Sequence, residues 1–442
     1  MNNLKKSSIL YQISLRSFTP EGTLKGAEKM LPHIASLGFD IVYLCPCFDS
    51  DDDTDPIYWS PNHKKSKQTL PTNPYRMRDY FKIDEEYGTD ADLRDFVNTA
   101  HDLGLKVLLD LVYFHCGPKA VFIEEHPDFV LLDENGNVTC GRWNFPQINF
   151  GSAALREYLY SNMEYFIKEF GVDGYRCDVA EHIPLDFWEE GRRRVDAINP
   201  NTILIDEGDQ APYNEVAFDA YYNFKFGYNL RKTFKHQVLA SDFVAAAKEM
   251  QAKMPKHSIP LLFNDNHDTV KDVIHLKRLE AIVGHDRMEA SLVIIYTSEG
   301  IPFIYNGNEV CDEQNHTLYA NRFTSPNYRI NWSNAVTPAA ERRMRIMKQL
   351  AELHRNNPVI ANGSTEWLTV SEPDHVVAYS RILGERKISV IVNTTDAALK
   401  FVVDTIIDKN AKILMQNGAV ITSCDEHTHV SANPGGYIVV EH

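Results

Sequence analysis

The chain has 442 residues, of which 43% are hydrophobic and 24% charged, with a formal net charge of −16 at pH 7. Such an acidic balance excludes a phosphate-tracking groove, which needs clustered Lys and Arg, so no nucleic-acid partner is expected. The length suits two or three domains, or one large barrel with additions, built round an ordinary apolar core.

Residues 1–13 carry two lysines and then turn directly into strand-like sequence, without the apolar run and small-residue cleavage site of a signal peptide. No later apolar run reaches bilayer length, so a cytoplasmic protein with no membrane partner is expected. From there, short β-rich runs recur at 9–13, 39–44, 105–111, 172–178, 202–207, 218–223, 259–264 and 301–306. Helical patterns lie between several of them, at 24–38, 90–104 and 152–171 for example. Gly38 and Gly104 stop two of these helices just before the next strand. Strands alternating with helices mean parallel βαβ units, and eight such strands predict a (β/α)8 barrel over residues 1–361.

Three departures from a minimal barrel are expected. Residues 45–80 read as a long polar loop after the second strand. Residues 115–150, after the third, read as a small inserted subdomain without a clear helix. From 362 to 442 the pattern changes to alternation without helices, predicting a separate antiparallel β-domain of sandwich type. Seven cysteines show no CxxC pair or framework spacing and read as reduced thiols. Monomer and homodimer fit equally well.

In such a barrel the chemistry sits at the carboxyl ends of the strands. The third strand ends in Asp110 with His115 beyond, the fourth in Arg176 and Asp178, the fifth in Asp206 and Glu207, and the seventh runs into Asp265 and Asp268. A strand period of two puts Arg176 and Asp178 on one rim, where the guanidinium favours an ionised carboxylate, as a nucleophile requires. Glu207, between Ile205 and Gly208, is placed for a raised pKa and proton donation. One ionised and one protonated carboxyl equip a site for glycoside hydrolysis. By spacing alone an Arg-Asp pair at i and i+2 is more often a plain salt bridge. What separates this pair is the coincidence of several acids at predicted strand ends.

Six segments in order resemble the motifs of the α-amylase family, glycoside hydrolase family 13: DLVYFH (110–115), FPQIN (145–149), GYRCD (174–178), IDEG (205–208), NDNHD (264–268) and GIPFIYNGNE (300–309). The resemblance implies a retaining hydrolase of α-1,4-linked glucose oligomers. Asp178 would be the nucleophile, Glu207 the acid/base, and Asp268 the carboxylate that binds sugar hydroxyls and favours the distorted transition state. It further implies that His115, Arg176 and His267 hold the sugar at the cleavage point. Tyr58 would form its aromatic platform, His182 would face the leaving group, and Arg329 would serve the next subsite. The expected companion of Arg329, four positions earlier, is Ser325 instead of aspartate. Many relatives bind a structural Ca²⁺ through an asparagine where this chain has Phe114, so no metal or other cofactor is expected. The run 49–56 holds five aspartates but lacks the Gly and terminal Glu of an EF-hand loop, and reads as a solvated acidic loop. Glu181-His182 fits neither the Lys-His of many α-amylases nor the Asn-Glu of cyclomaltodextrinases and neopullulanases. Cleavage of α-1,6 links, glycosyl transfer and disaccharide isomerisation are therefore alternatives, with an inactive scaffold more remote. The partner implied is an α-glucan oligosaccharide.

Overall fold

The computed structural model describes residues 4–270, 277–325, 327–408, 410–424 and 426–442. Eight parallel strands close into a barrel: β1 (Leu10–Ile13), β2 (Ile41–Leu44), β3 (Lys106–Leu111), β4 (Gly174–Cys177), β5 (Ile203–Asp206), β6 (Ala220–Tyr222), β7 (Ile259–Leu262) and β8 (Ile301–Tyr305). Each pairs with its neighbour in sequence, and β8 returns to β1 with Phe303 opposite Leu10. All eight predicted runs are strands, shortened at their ends.

Alternation along the strands builds two apolar layers. Leu10, Ile41, Leu108, Ile203, Ile205 and Phe303 share the cluster inside the barrel. Their sequence neighbours Tyr11, Val42, Val107, Leu109 and Leu204 pack outward with the surrounding helices. At the inward start of β4 stands Gly174, at φ +150°, where an added Cβ would overlap the carbonyl of Ile203 on β5. This contact explains the glycine two positions before Arg176.

The segment 45–80 is more ordered than a polar loop. It contains a helix at Pro61–Ser66 and an antiparallel ribbon of Phe48–Ser50 with Met77–Ile83. Its organiser is buried Arg76, whose Nη atoms donate to the carbonyls of Asp51, Asp53, Tyr58 and Pro71 at 2.8–3.2 Å. The insertion at 115–150 has no α-helix among its residues and is tied by isolated bridges such as His115 to Gln147 and Cys140 to Pro146.

The expected β-domain follows as β9 (Ser364–Trp367), β10 (Val376–Leu383), β11 (Arg386–Asn393), β12 (Leu399–Val403), β13 (Lys412–Cys424) and β14 (Thr428–Glu441). These make one antiparallel sheet folded over its own apolar cluster, with long β14 pairing to β11, β12 and β13. Tyr379 and Tyr437 dock it on the helix Glu280–Thr297 by hydroxyl bonds to Thr297 (2.6 Å) and Glu289 (2.7 Å). Among the described residues, no helix is long and apolar enough to cross a membrane.

Candidate active site

The inward rows of the strands converge at the carboxyl end of the barrel. On β3 the row runs Leu108, Asp110; on β4 it runs Gly174, Arg176 and then Asp178; on β5 it runs Ile203, Ile205 and then Glu207. Cys177 falls out of phase and packs in the outer layer, away from the rim.

Arg176 is fully buried at 0% exposure and organises the acids. Its Nη1 donates to Asp110 Oδ1 at 2.7 Å and to Asp178 Oδ1 at 2.8 Å, while Nη2 pairs with the carboxylate of Glu207. The predicted partnership with Asp178 is therefore one arm of a three-way cluster. The rings of Tyr43, Tyr75 and Tyr222 surround the guanidinium at 5.5–6.0 Å. Burial raises the pKa of Glu207 well above the usual carboxylate range, outweighing the pull of Arg176, with the negative charges of Asp178 and Asp268 adding to the rise. Burial likewise lifts Asp110 to about 6 despite Arg176.

Just after Asp178, Val179 adopts φ +39°, ψ 43°, a strained left-handed conformation for a β-branched residue. The turn aims the Val179 N–H at Glu207 Oε2, 2.8 Å away, so the loop that follows Asp178 holds the second carboxyl.

Asp178, Glu207, Asp268, His115, His267 and Tyr75 line one cavity of about 110 Å³ above this cluster. His115 donates from Nε2 to the Tyr75 carbonyl at 2.8 Å, leaving Nδ1 as an acceptor, and burial keeps its pKa low and the ring neutral. His267 stacks on Tyr75 at 5.3 Å, its Nε2 2.9 Å from the Tyr75 hydroxyl and its Nδ1 2.8 Å from Gln12 Nε2. The Tyr75 hydroxyl also donates to Asp110 at 2.9 Å.

Four expected residues lie outside this lining, one of them Arg176, which is buried beneath it instead of facing the cavity. Tyr58 sits on the 45–80 segment with its carbonyl bound by Arg76. The aromatic rings in the pocket are instead Tyr75, Trp143, Phe145 and Tyr319, none of which was expected as a site residue. Tyr58 and Tyr75 lie in one segment, which the bonds of Arg76 brace. Arg329 donates to the Pro20 carbonyl at 2.6 Å and does not line the cavity. His182 is exposed beside Phe114, with ring centroids 5.4 Å apart. Its neighbour Glu181 accepts from the Asp209 N–H at 3.4 Å and lies against Gly208. Tyr221 and Phe224, from the aromatic run 217–228, also lie outside the lining. Gln12 was legible but unread, being the inward residue at the end of β1.

The match to known sequences decides the family. Residues 5–130 and 139–357 match the alpha amylase catalytic domain. The chain belongs to the α-amylase family. A cyclomaltodextrinase from a Bacillus species is 27% identical over 416 residues, covering 85% of this chain and 66% of that protein. The chain thus spans about two-thirds of that relative's length. Among solved structures, a maltogenic α-amylase from Thermotoga neapolitana shares the fold with a TM-score of 0.83 at 23% identity, covering 100% of this chain and 99% of that one. An α-amylase from Lactobacillus plantarum gives 0.80 at 24% identity, with both chains covered in full at 100%.

The residues present do not fit the calcium site that many members of this family use. Phe114 offers no oxygen, and its ring packs against Trp143 and His182 at 5.9 and 5.4 Å. In the acidic run, Asp49 pairs with Arg78 (2.7 Å), Asp51 with Arg76 (3.3 Å), and Asp52 and Asp53 with Lys119 (3.2 and 3.6 Å). The run is thus a cross-linked brace more than a solvated loop.

Proposed function

We propose that this α-amylase family member is a retaining glycoside hydrolase acting on α-1,4-linked glucose oligomers, without a structural metal ion. Asp178 attacks the anomeric carbon and forms a covalent glycosyl-enzyme. Glu207 protonates the departing oxygen and then activates water, while Asp268 binds hydroxyls of the distorted sugar. The observation that carries the reading is one guanidinium spanning two carboxyls: Arg176 holds both Asp178 and Glu207 at the cavity floor. A shared guanidinium favours the short carboxyl separation of retaining enzymes, about 5–5.5 Å, over the about 6.5–9.5 Å of inverting ones. The upward shift of the Glu207 pKa by burial suits it to donate a proton in the first step. The cyclomaltodextrinase and maltogenic amylase names of the relatives support the substrate class.

Maltotriose hydrolysis, with the anomer released followed by NMR, tests this. Wild type should release the α anomer, and Glu207→Gln should lose about 10²–10⁴-fold in rate. Asp178→Asn should be inactive. Wild-type turnover by either variant, or release of the β anomer, would remove the assignment.

A further inference from the structure

The cavity has one wall that the chemistry does not use. It is lined there by Ser60, Asn62, Leu318 and Tyr319, from the segment after β2 and the segment after β8. These two segments are locked together. The ring of His63 lies between Trp59 (4.1 Å, 3° between planes) and Tyr319 (4.7 Å, 12°), a continuous three-ring stack across the seam. His63 is buried, and burial with Arg76 and Arg16 nearby lowers its pKa to about 4, so the ring is a neutral plate at working pH. Beneath the stack, buried Arg16 donates to Thr72 O (3.2 Å) and Oγ1 (2.9 Å) on one segment and to the Leu318 carbonyl on the other. Glu86 holds the same guanidinium at 2.8 and 2.9 Å.

The position of the wall fixes its meaning. The general acid faces the leaving group, and Glu207 is bound on its side by the Val179 amide next to Glu181. The stack belongs to segments that follow β2 and β8, across the closed barrel from β5 and Glu207, and it reaches the cavity through Tyr319; the non-reducing end of a glucan would continue on that side. There, Arg329 binds the Pro20 carbonyl instead of reaching the cavity. The cavity, about 110 Å³, is also small beside typical ligand clefts of about 300–1,000 Å³.

Resting on the glycosidase reading above, we propose that the Trp59–His63–Tyr319 stack seals the donor end of the pocket, so that the enzyme removes single glucosyl residues from the non-reducing ends of α-glucan oligomers. Linear chains enter end-first, and chains without a free non-reducing end are excluded.

Three substrates separate the outcomes: p-nitrophenyl maltoheptaoside, the same compound with its non-reducing glucose blocked as a 4,6-acetal, and β-cyclodextrin. The first should yield glucose and p-nitrophenyl maltohexaoside as earliest products. The other two should react slower by on the order of 100-fold or more, a discrimination that one excess methylene against a closed wall can already approach. Tyr319→Ala and His63→Ala, with folding checked by melting temperature, should raise the blocked-to-free rate ratio. Comparable rates on free and blocked substrates, or a ratio unmoved in both folded variants, would overturn the sealed-end assignment. Turnover of none of the three would instead remove the glycosidase reading, and this inference with it.

Discussion

Replacing Arg176 by Met tests the electrostatic centre of the site. The side chain is buried and engages Asp110, Asp178 and Glu207 together. Methionine keeps most of the volume and leaves those carboxyls without their cation. Breaking a buried ion pair by removing one partner costs about 3–5 kcal/mol. The three losses do not add, because each carboxyl can escape by taking a proton. That escape costs about 1.4 kcal/mol for each pH unit above an unfolded pKa near 4, hence about 4 kcal/mol per group at pH 7 but about 1–2 at pH 5. Glu207, already raised well above the carboxylate range, adds little, and Asp110, at about 6, adds part of its share. A net deficit of about 3–5 kcal/mol at pH 7, shrinking to about 1–2 at pH 5, is expected. The sign follows from linkage. A carboxyl with a raised folded pKa contributes stability that is complete below its unfolded pKa and is lost as pH rises through the folded value. In the variant that window opens near pH 4 and extends beyond 6, where Asp110 already stands in the wild type. Urea unfolding of both proteins between pH 5 and pH 8, followed by tryptophan fluorescence, measures the difference. A deficit that is constant with pH, or that grows toward low pH, would refute the claim that Arg176 serves to compensate these carboxyls.

Asp206, outward and buried beside Glu207, has its pKa pushed up to about 8 by burial, with the Asn214 amide opposing at 2.8 Å. Wild-type stability should therefore fall as pH rises from about 4 through 8, and Asp206→Asn should flatten that slope in the same urea series. Tyr75→Phe removes the hydroxyl that bridges Asp110 and His267, and should lower kcat/KM on maltotriose by about 10- to 150-fold, one hydrogen bond to a charged group being worth about 1.5–3 kcal/mol. Tyr58→Ala, outside the cavity lining, should leave kcat/KM unchanged, and a loss of about 10-fold or more would restore Tyr58 as the platform. Because Phe114 supplies no oxygen ligand and Asp49 to Asp53 are engaged by Arg76, Arg78 and Lys119, excess chelator should not shift Tm. A large drop would reveal a calcium site.

How far the sequence reached follows from the range of its rules. Strand periodicity and strand count are local, so eight β-rich runs between helices were sufficient for the closed barrel. The same period of two put Asp110, Arg176, Asp178 and Glu207 on inward rows, because a side chain's face is set by its parity within its own strand. What parity could not supply was Glu207 as a further partner of Arg176, since that contact depends on the turn at Val179 and on the register between β4 and β5. The segment 45–80 obeyed no local rule. Its order comes from Arg16 and Arg76 bonding to carbonyls distant in sequence, so the choice of Tyr75 over Tyr58 and the stacking of His63 on Tyr319 were decided by packing. The carboxyls at the strand ends were legible because strands repeat. The wall of Ser60, Asn62, Leu318 and Tyr319 belongs to the tertiary structure alone, because it is built where two segments more than 200 residues apart meet.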